Sequence, residues 1–441
     1  MRVLIVTHYF PPEAGAPQTR LSGLAATWAA DGDDVTVLTG MPNHPTGVLP
    51  PSYRRAVLRR EFADGYRVIR TWLYATPKEG IARATLGHLS FTASSVLLGG
   101  RASGPADVVV VSTPTFSSIL SGWLLARRKQ ARLVVEIRDL RPAIFAEPGA
   151  RFNRRVIGML ERLALAAYAV ADQVVVVSEG SRADLVRRGL PPERVHTIGN
   201  GVDVGRFTPE ACSAQERDRL RARLGAGPAD CLVLYAGTHG TRQALPTIAS
   251  AAALLDSSGK AGTAGVGFTA GRTAAASRQA IPGGAIRFAF VGDGPDKRHL
   301  ERRVAELGLR NVVLLPGVPH AEMPALLAAA DICLVPRRKS PPLAALIPAK
   351  MSEYLAAGKV VVASVAGEAA QILAEAGGVV VPPEDSGSLA AAIAALAADP
   401  PLRAALGRTG RAFAERCHDR AAVAREYRKI LDLDVPRSSH G

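Results

Sequence analysis

The stretch QVVVVSEGSRADLVRRGLPPERVHTIG, residues 173–199, reads as an apolar strand, a helix and a second strand. Its four consecutive valines show no polar alternation, which is the pattern of a strand buried on both faces in a parallel sheet. Strand, helix and strand in this order form the βα unit from which doubly wound sheets are built. The same rhythm runs outward in both directions. Before it come VLIV (3–6), VTVLTG (35–40), YRVIRT (66–71), VVVVST (108–113) and LVVEIRD (133–139). After it come CLVLYAG (231–237), RFAFVGDG (287–294), VVLLPG (312–317), ICLVP (332–336), VVVAS (360–364) and GVVVP (378–382). Between the two series, from NGVD (200–203) through FTPE (207–210) to GAGPAD (225–230), turn residues replace periodic ones. A chain of 441 residues exceeds what one core organises. The reading is therefore α/β, with two doubly wound, Rossmann-like domains.

Two segments break the rhythm. Residues 257–286 are rich in Gly, Ala, Ser and Thr with almost no large apolar side chains, and read as a flexible insertion. LGHLSFTASSVLLGG (86–100) is apolar but too short to span a bilayer; a core helix and a membrane-facing helix both fit it.

Composition narrows the function classes. A hydrophobic share of 48% with 21% charged residues excludes global disorder. No apolar run reaches the roughly 20 residues of a membrane span, and the opening MRVLIVTHYF is too short for a signal peptide, so a cytoplasmic protein is expected. Cys212, Cys231, Cys333 and Cys417 lie far apart, and neither a zinc site nor a disulfide framework is expected. The net charge is +15, and both halves are basic, with clusters at Arg54–Arg60, Arg127–Lys129 and Arg151–Arg155. Without interleaved aromatics these point to an anionic membrane surface rather than nucleic acid, and a solvated arginine-rich surface fits as well.

In doubly wound sheets ligands bind beyond the carboxyl ends of the strands, where loops expose backbone N–H groups. After the first strand comes THYFPPEAGAP (7–17), with Glu13, Gly15 and, on the following helix, Arg20. Its counterpart in the second half is GTHG (237–240), with Gly237, His239 and Gly240. The sharpest constellation is IPAKMSEYLAAG (347–358), where Pro348 suits a helix start and Gly358 its end. Lys350 and Glu353 then share one face near the N-terminus: the dipole and the ammonium attract a diphosphate, and the carboxylate accepts from ribose hydroxyls. An ordinary surface ion pair is the competing reading. Gly292 and Gly294 in VGDGPDKRH make room for a base or ribose, or merely shape a turn. Arg138 and Asp139 end a buried strand in EIRDLRP, where the carboxylate suits a general base, an orienter of an acceptor hydroxyl, or a structural cap.

The series HYFPPEAGAP, TGMPNHPTG (39–47), IRDLRP, IGNGVDVGRF (198–207), GTHG, FVGDGP and IPAKMSEYLAAGKVVVAS resembles, in order and spacing, the retaining glycosyltransferases called group 1. The resemblance spans nearly the whole chain and points to the bacterial branch that builds O-antigen, capsule and exopolysaccharide, including L-fucosamine-type transferases. It implies the GT-B fold, two domains facing a cleft, with no metal and no cofactor. It also implies a nucleotide-sugar donor, a UDP-sugar carrying an N-acetylamino sugar, bound by residues 206–418; the candidate donor-binding residues are Gly237, His239, Gly240, Gly292, Gly294, Lys350 and Glu353, with Gly15 of the first domain. On the same resemblance, residues 1–205 are expected to take a saccharide acceptor, polyprenyl-linked, through Glu13, Arg20 and His44, and residues 419–441, with REYRKILDL, to return as a helix to the first domain. Glu353 matches the second glutamate of the family's paired-glutamate motif; Ala345 stands at the first. His239 and Gln243 replace a common Arg and Lys, and Arg138 or Asp139 replaces a catalytic-loop His. The function so implied is sugar transfer in cell-surface polysaccharide synthesis, with the enzyme peripheral at the inner face of the cytoplasmic membrane. A UDP-sugar 2-epimerase on the same fold and a catalytically silent subunit of a polysaccharide-assembly complex are the alternatives.

Overall fold

The computed structural model describes all residues except 14, 45, 78–79, 114–115, 139, 141–153, 257–283 and 434–441. The chain divides into two compact units, residues 1–201 with 420–441, and residues 202–419.

The first unit is built on an eight-stranded sheet. Its strands are β1 (Arg2–Val6), β2 (Asp34–Gly40), β3 (Leu58–Ala63), β4 (Tyr66–Thr71), β5 (Val108–Ser112), β6 (Arg132–Ile137), β7 (Gln173–Val176) and β8 (Val195–Thr197). They lie in the order β3-β4-β2-β1-β5-β6-β7-β8, all parallel except the β3–β4 pair. The unbroken valine runs have a direct packing cause. Val109 and Val111 of β5 enter the core on one face, Val108 and Val110 the core on the other. Each fully buried valine contributes roughly 1.5–3 kcal/mol of transfer free energy, so a polar residue in either register is costly.

Helices cover both faces. On one side Ala16–Ala30 packs with the C-terminal helix Arg420–Asp432. Trp28 is fully buried there, meets the Tyr427 ring edge-on at 5.4 Å and donates Nε1–H to Ala424 O at 2.8 Å. On the other side lie Ile81–Ser94, which continues through a π turn (Ser95–Gly99) to Ala102, then Phe116–Lys129 and Arg154–Ala169. The apolar segment 86–100 is thus part of a helix that buries Phe91 and Gly99 against the sheet.

β3 is absent from the sequence reading. LRREFA carries three charges, and as the antiparallel edge strand it is covered only in part: Leu58 packs against the core on one face and Ala63 on the other, while Phe62 stands 73% exposed.

The second unit holds a six-stranded, wholly parallel sheet of β9 (Cys231–Ala236), β10 (Ile286–Val291), β11 (Val312–Leu315), β12 (Ile332–Pro336), β13 (Val360–Ser364) and β14 (Val379–Val381), in the order β11-β10-β9-β12-β13-β14. The expected insertion 257–286 falls mostly outside the described residues. Its last three residues do not belong to it: Cys231 N–H donates to Ala285 O at 2.9 Å, Ala285 N–H to Asp230 Oδ1 at 2.8 Å, and Ile286 opens β10, buried. Among the described residues no single helix is long and apolar enough to cross a membrane.

Candidate functional site

In the second unit the order of strands reverses between β9 and β12, the switch point beyond whose carboxyl ends doubly wound sheets bind ligands. The loop after β9 supplies Gly237, His239 and Gly240. The loop after β10 supplies Gly292 and Gly294. The helix Ala349–Ala356, preceded by Pro348 and followed by Gly358 at φ 65°, supplies Lys350 and Glu353.

Lys350 is the centre of the arrangement. Part of its stem is reached by solvent, but Nζ is shielded from water and has no hydrogen-bond partner. The ammonium lies 3.9 Å from the centroid of the Tyr235 ring, whose hydroxyl donates to Thr238 O at 2.7 Å. Gly237 adopts φ 135°, and a Cβ there would stand 2.7 Å from Lys350 Nζ, so only glycine leaves the cation its place. Burial, and secondarily the Arg337 guanidinium, push the Lys350 pKa down to about 7. A desolvated cation without a counter-ion is unfavourable unless an anion completes it.

His239 is fully buried against Tyr235, and neither ring nitrogen finds a partner. Burial, then Lys297, lowers its pKa to about 4, so near neutrality it is an uncharged ring with one donor and one acceptor. The two glycine loops are interlocked. His239 N–H donates to Asp293 O at 2.9 Å, Asp296 N–H to His239 O at 2.9 Å, and Gly237 N–H to Val291 O at 2.9 Å. A Cβ on Gly292 would collide with Gly237 O and sit 2.9 Å from His239 Nε2, and one on Gly294 would collide with the His239 backbone. These glycines are therefore explained by the approach of the two loops. Gly240 is half-buried at the end of the first loop.

Glu353, one turn along the helix from Lys350, is held by a residue the sequence reading passed over. His320 Nε2 lies 2.9 Å from Glu353 Oε1. A carboxylate can only accept, so Nε2 carries the proton. His320 in turn packs on Phe207 with ring centroids 5.6 Å apart, and its carbonyl accepts from Arg206 Nη2 at 2.8 Å. The signal was present in GVPH (317–320), a histidine just past a parallel strand.

Beyond β12 and β13 lies a cavity of about 210 Å³ lined by Arg337, Arg338, Lys339, Leu346 and Val365, together with the Ala344 turn. A larger one of about 530 Å³, lined by Arg206, Glu216, Arg223 and Glu322, contains none of the candidate residues.

In the first unit the candidates gather beyond β1. Glu13 is buried, and its carboxylate accepts from Phe10 N at 3.1 Å and from Asn43 N and His44 N at 2.8 Å, clamping two loops together. Burial raises its pKa against the lowering effect of these N–H donors. His44 is exposed, its ring 5.1 Å from that of Tyr9. Gly15 begins the helix Ala16–Ala30, and a Cβ there would collide with the Gln18 amide. Arg20 is buried with all three nitrogens engaged: Nε to Glu136 Oε2 at 3.2 Å, Nη2 to Ile198 O at 3.1 Å, and Nη1 to Gly199 O. Glu136 also accepts from Ser112 at 3.0 Å; burial pushes its carboxyl up, and the Arg20 and Arg138 charges more than offset this to hold it low. Arg138 reaches Asn200 Oδ1 at 3.1 Å. Asp139 lies outside the described residues.

Two doubly wound units, the second with an unpartnered lysine Nζ at its switch point, define the GT-B class of glycosyltransferase fold. The structure of Anabaena HepE solved with UDP-glucose superposes with a TM-score of 0.69 over 98% of this chain and 99% of that one, at 16% identity. Residues 15–201 match the model of the glycosyl transferase 4-like domain, and residues 265–399 that of the glycosyl transferases group 1. A protein named for colanic acid biosynthesis, the glycosyl transferase WcaI of Escherichia coli K12, is 26% identical over 97% of this chain and 98% of its own length. The D-inositol 3-phosphate glycosyltransferase of Xylanimonas cellulosilytica is 30% identical over 82% of this chain and 80% of its own. The chain belongs to the group 1 glycosyltransferases.

Proposed function

We propose that this enzyme moves a sugar from a UDP-sugar to a lipid-linked saccharide during assembly of a cell-surface polysaccharide, at the inner face of the cytoplasmic membrane. One observation carries the donor half: the Lys350 ammonium, shielded and unpartnered, stands against Gly237 at the switch point, on the same helix face as Glu353. The donor diphosphate completes that cation, with the N-terminus of the helix adding its dipole, and Glu353 accepts from the ribose. As the sugar departs, charge develops on the diphosphate, and a preorganised ammonium in a water-poor site stabilises it more than water would. Lys350 and the helix terminus do this without a divalent ion in the proposed reaction. The neutral His239 offers a hydrogen bond to donor oxygens, and the cavity at Arg337–Lys339 receives the sugar end of the donor.

The acceptor half is supported by the likeness to WcaI along nearly the full length of both chains. Exposed His44 with Tyr9 gives the saccharide an aromatic platform, while Glu13 and Arg20 hold the loops that present it. Arg138 and Asp139, at the end of β6, are proposed to face the reacting hydroxyl. The N-acetylamino sugar is the donor proposed from the family resemblance.

The test is incubation with a panel of UDP-sugars and a polyprenyl-diphosphate-linked saccharide, with and without EDTA, followed by mass spectrometry of the lipid. The expected product is the acceptor extended by one sugar in both conditions. Interconversion of UDP-sugars without acceptor identifies an epimerase instead, and UDP binding with no turnover identifies a silent subunit.

A further inference from the structure

The exposed apolar side chains are unevenly distributed. Of the fifteen large ones among the described residues, thirteen belong to the first unit and two, Leu254 and Leu402, to the second. Eight of the thirteen lie on or just beyond one layer of helices, that formed by Ile81–Ala102, Phe116–Lys129 and Arg154–Ala169.

Their spacing is helical. Leu86, Leu89, Ala93 and Leu97 recur at intervals of three and four, all exposed, on the side opposite buried Gly87 and Phe91. Leu97 is 62% exposed. The π turn at Ser95–Gly99 widens the stripe, because it brings Leu98 outward beside Leu97. Two helices away, Met159, Leu163, Ala166 and Val170 form a second outward stripe with intervals of four, three and four. Phe116–Lys129 packs between them and exposes Leu120. On the opposite face of the same sheet, the helices Ala16–Ala30 and Arg420–Asp432 have one exposed large apolar side chain on or just beyond them among the described residues, Leu433.

The charge of this layer is equally one-sided. The three segments 81–102, 116–129 and 154–169 contain eight Lys and Arg and a single acid, Glu161. Arg83, Arg101, Arg127, Arg128, Arg155 and Arg162 are all exposed. Two apolar stripes set among guanidinium groups on one broad helical layer, with almost no carboxylate, complement a surface that is apolar below and anionic above. A protein partner of mixed charge does not require such depletion of acids.

We propose that the outward face of these three helices docks on an anionic lipid bilayer, with Leu86, Leu89, Leu97, Met159 and Leu163 entering the headgroup boundary and the arginines pairing with lipid phosphates. The proposal is separable from the reading of the reaction, since it requires neither donor nor acceptor. It also differs from a role for the Arg54–Arg60 cluster, whose Arg59 sits on the edge strand, paired with Glu61 at 3.2 Å and stacked on Tyr53.

The test is sedimentation of the full chain with vesicles of phosphatidylcholine containing 30% phosphatidylglycerol, and with phosphatidylcholine alone. Wild type is expected to bind the anionic vesicles, and to release them at about 1 M salt, where the Debye length is about 3 Å. Leu86→Ser with Leu89→Ser and Leu97→Ser, and separately Arg127→Gln with Arg128→Gln, should each weaken binding at least tenfold. Both sets lie on the surface, so melting temperature and UDP affinity should match wild type. The docking proposal is overturned if wild type ignores anionic vesicles, if both variants bind as wild type does, or if the leucine set instead dissolves a dimer seen by sedimentation velocity. Normal vesicle binding with no UDP affinity would overturn the donor reading and leave this one standing.

Discussion

Glu353 Oε1 lies 2.9 Å from His320 Nε2, and His320 is itself fixed by the Phe207 ring and by Arg206 on its carbonyl. One carboxylate oxygen is therefore committed to the protein and the other is left for a ligand. Glu353→Ala should weaken UDP binding by about 1–3 kcal/mol, the scale of a hydrogen bond to a charged group. His320→Ala should cost about 1 kcal/mol, and His320→Gln, which keeps an N–H donor, should recover most of it. The specific readout is discrimination between UDP and 2′-deoxy-UDP by calorimetry. It should be large in wild type, reduced in His320→Ala and absent in Glu353→Ala. Equal discrimination in all three would remove ribose from Glu353.

Lys350 gives a pH signature. Its folded pKa of about 7 is below that of an unfolded lysine, near 10.5. Between these values the unfolded chain binds the extra proton, so stability should rise with pH across that window. The slope from this one group is at most about 1.4 kcal/mol per pH unit. Urea unfolding of the free protein from pH 6.5 to 10 should show this contribution, and Lys350→Met should lack it. Binding a diphosphate raises the pKa again, so at pH 8 UDP binding should take up protons, seen as a dependence of calorimetric heat on buffer ionisation enthalpy.

Gly292→Ala tests the interlocked loops. A Cβ there collides with Gly237 O, a backbone atom tied to Val291 through Gly237 N–H, and nothing nearby can yield cheaply. The loss should be about 1–3 kcal/mol in urea unfolding. Wild-type stability would show that the loops are not packed as described.

Most of the fold was legible in the sequence, because strands buried on both faces leave unbroken runs such as Val108–Val111 and Val174–Val177. β3 was not, since an edge strand that is only partly covered and carries three charges reads as a charged loop. The helix carrying Lys350 and Glu353 was legible through Pro348 and Gly358, which punctuate it. His320 was not: a single histidine carries no period, and only the fold brings it across 33 positions to Glu353. The engagement of Arg20 was invisible for the same reason, because its partners are 116 and 178–179 residues away.

Arg20 and Glu136 form a buried pair whose halves depend on each other. Arg20→Met should cost about 3–5 kcal/mol by stranding the Glu136 carboxylate, and adding Glu136→Leu should return much of that loss. Chemical unfolding of the two variants checks it. An Arg20→Met protein as stable as wild type would free this arginine for a direct role with acceptor.

The central claim is that the switch-point crevice of the second unit holds a nucleotide diphosphate through Lys350. A calorimetric titration of UDP into wild type and Lys350→Met at pH 6.5 tests it most directly. The account predicts binding by wild type and an affinity about ten- to a hundredfold lower in the variant, about 1.4–2.8 kcal/mol. Removing a desolvated ammonium that has no hydrogen-bond partner should leave the variant's melting temperature equal to or above that of wild type. Equal UDP affinity in the two folded proteins would contradict the claim.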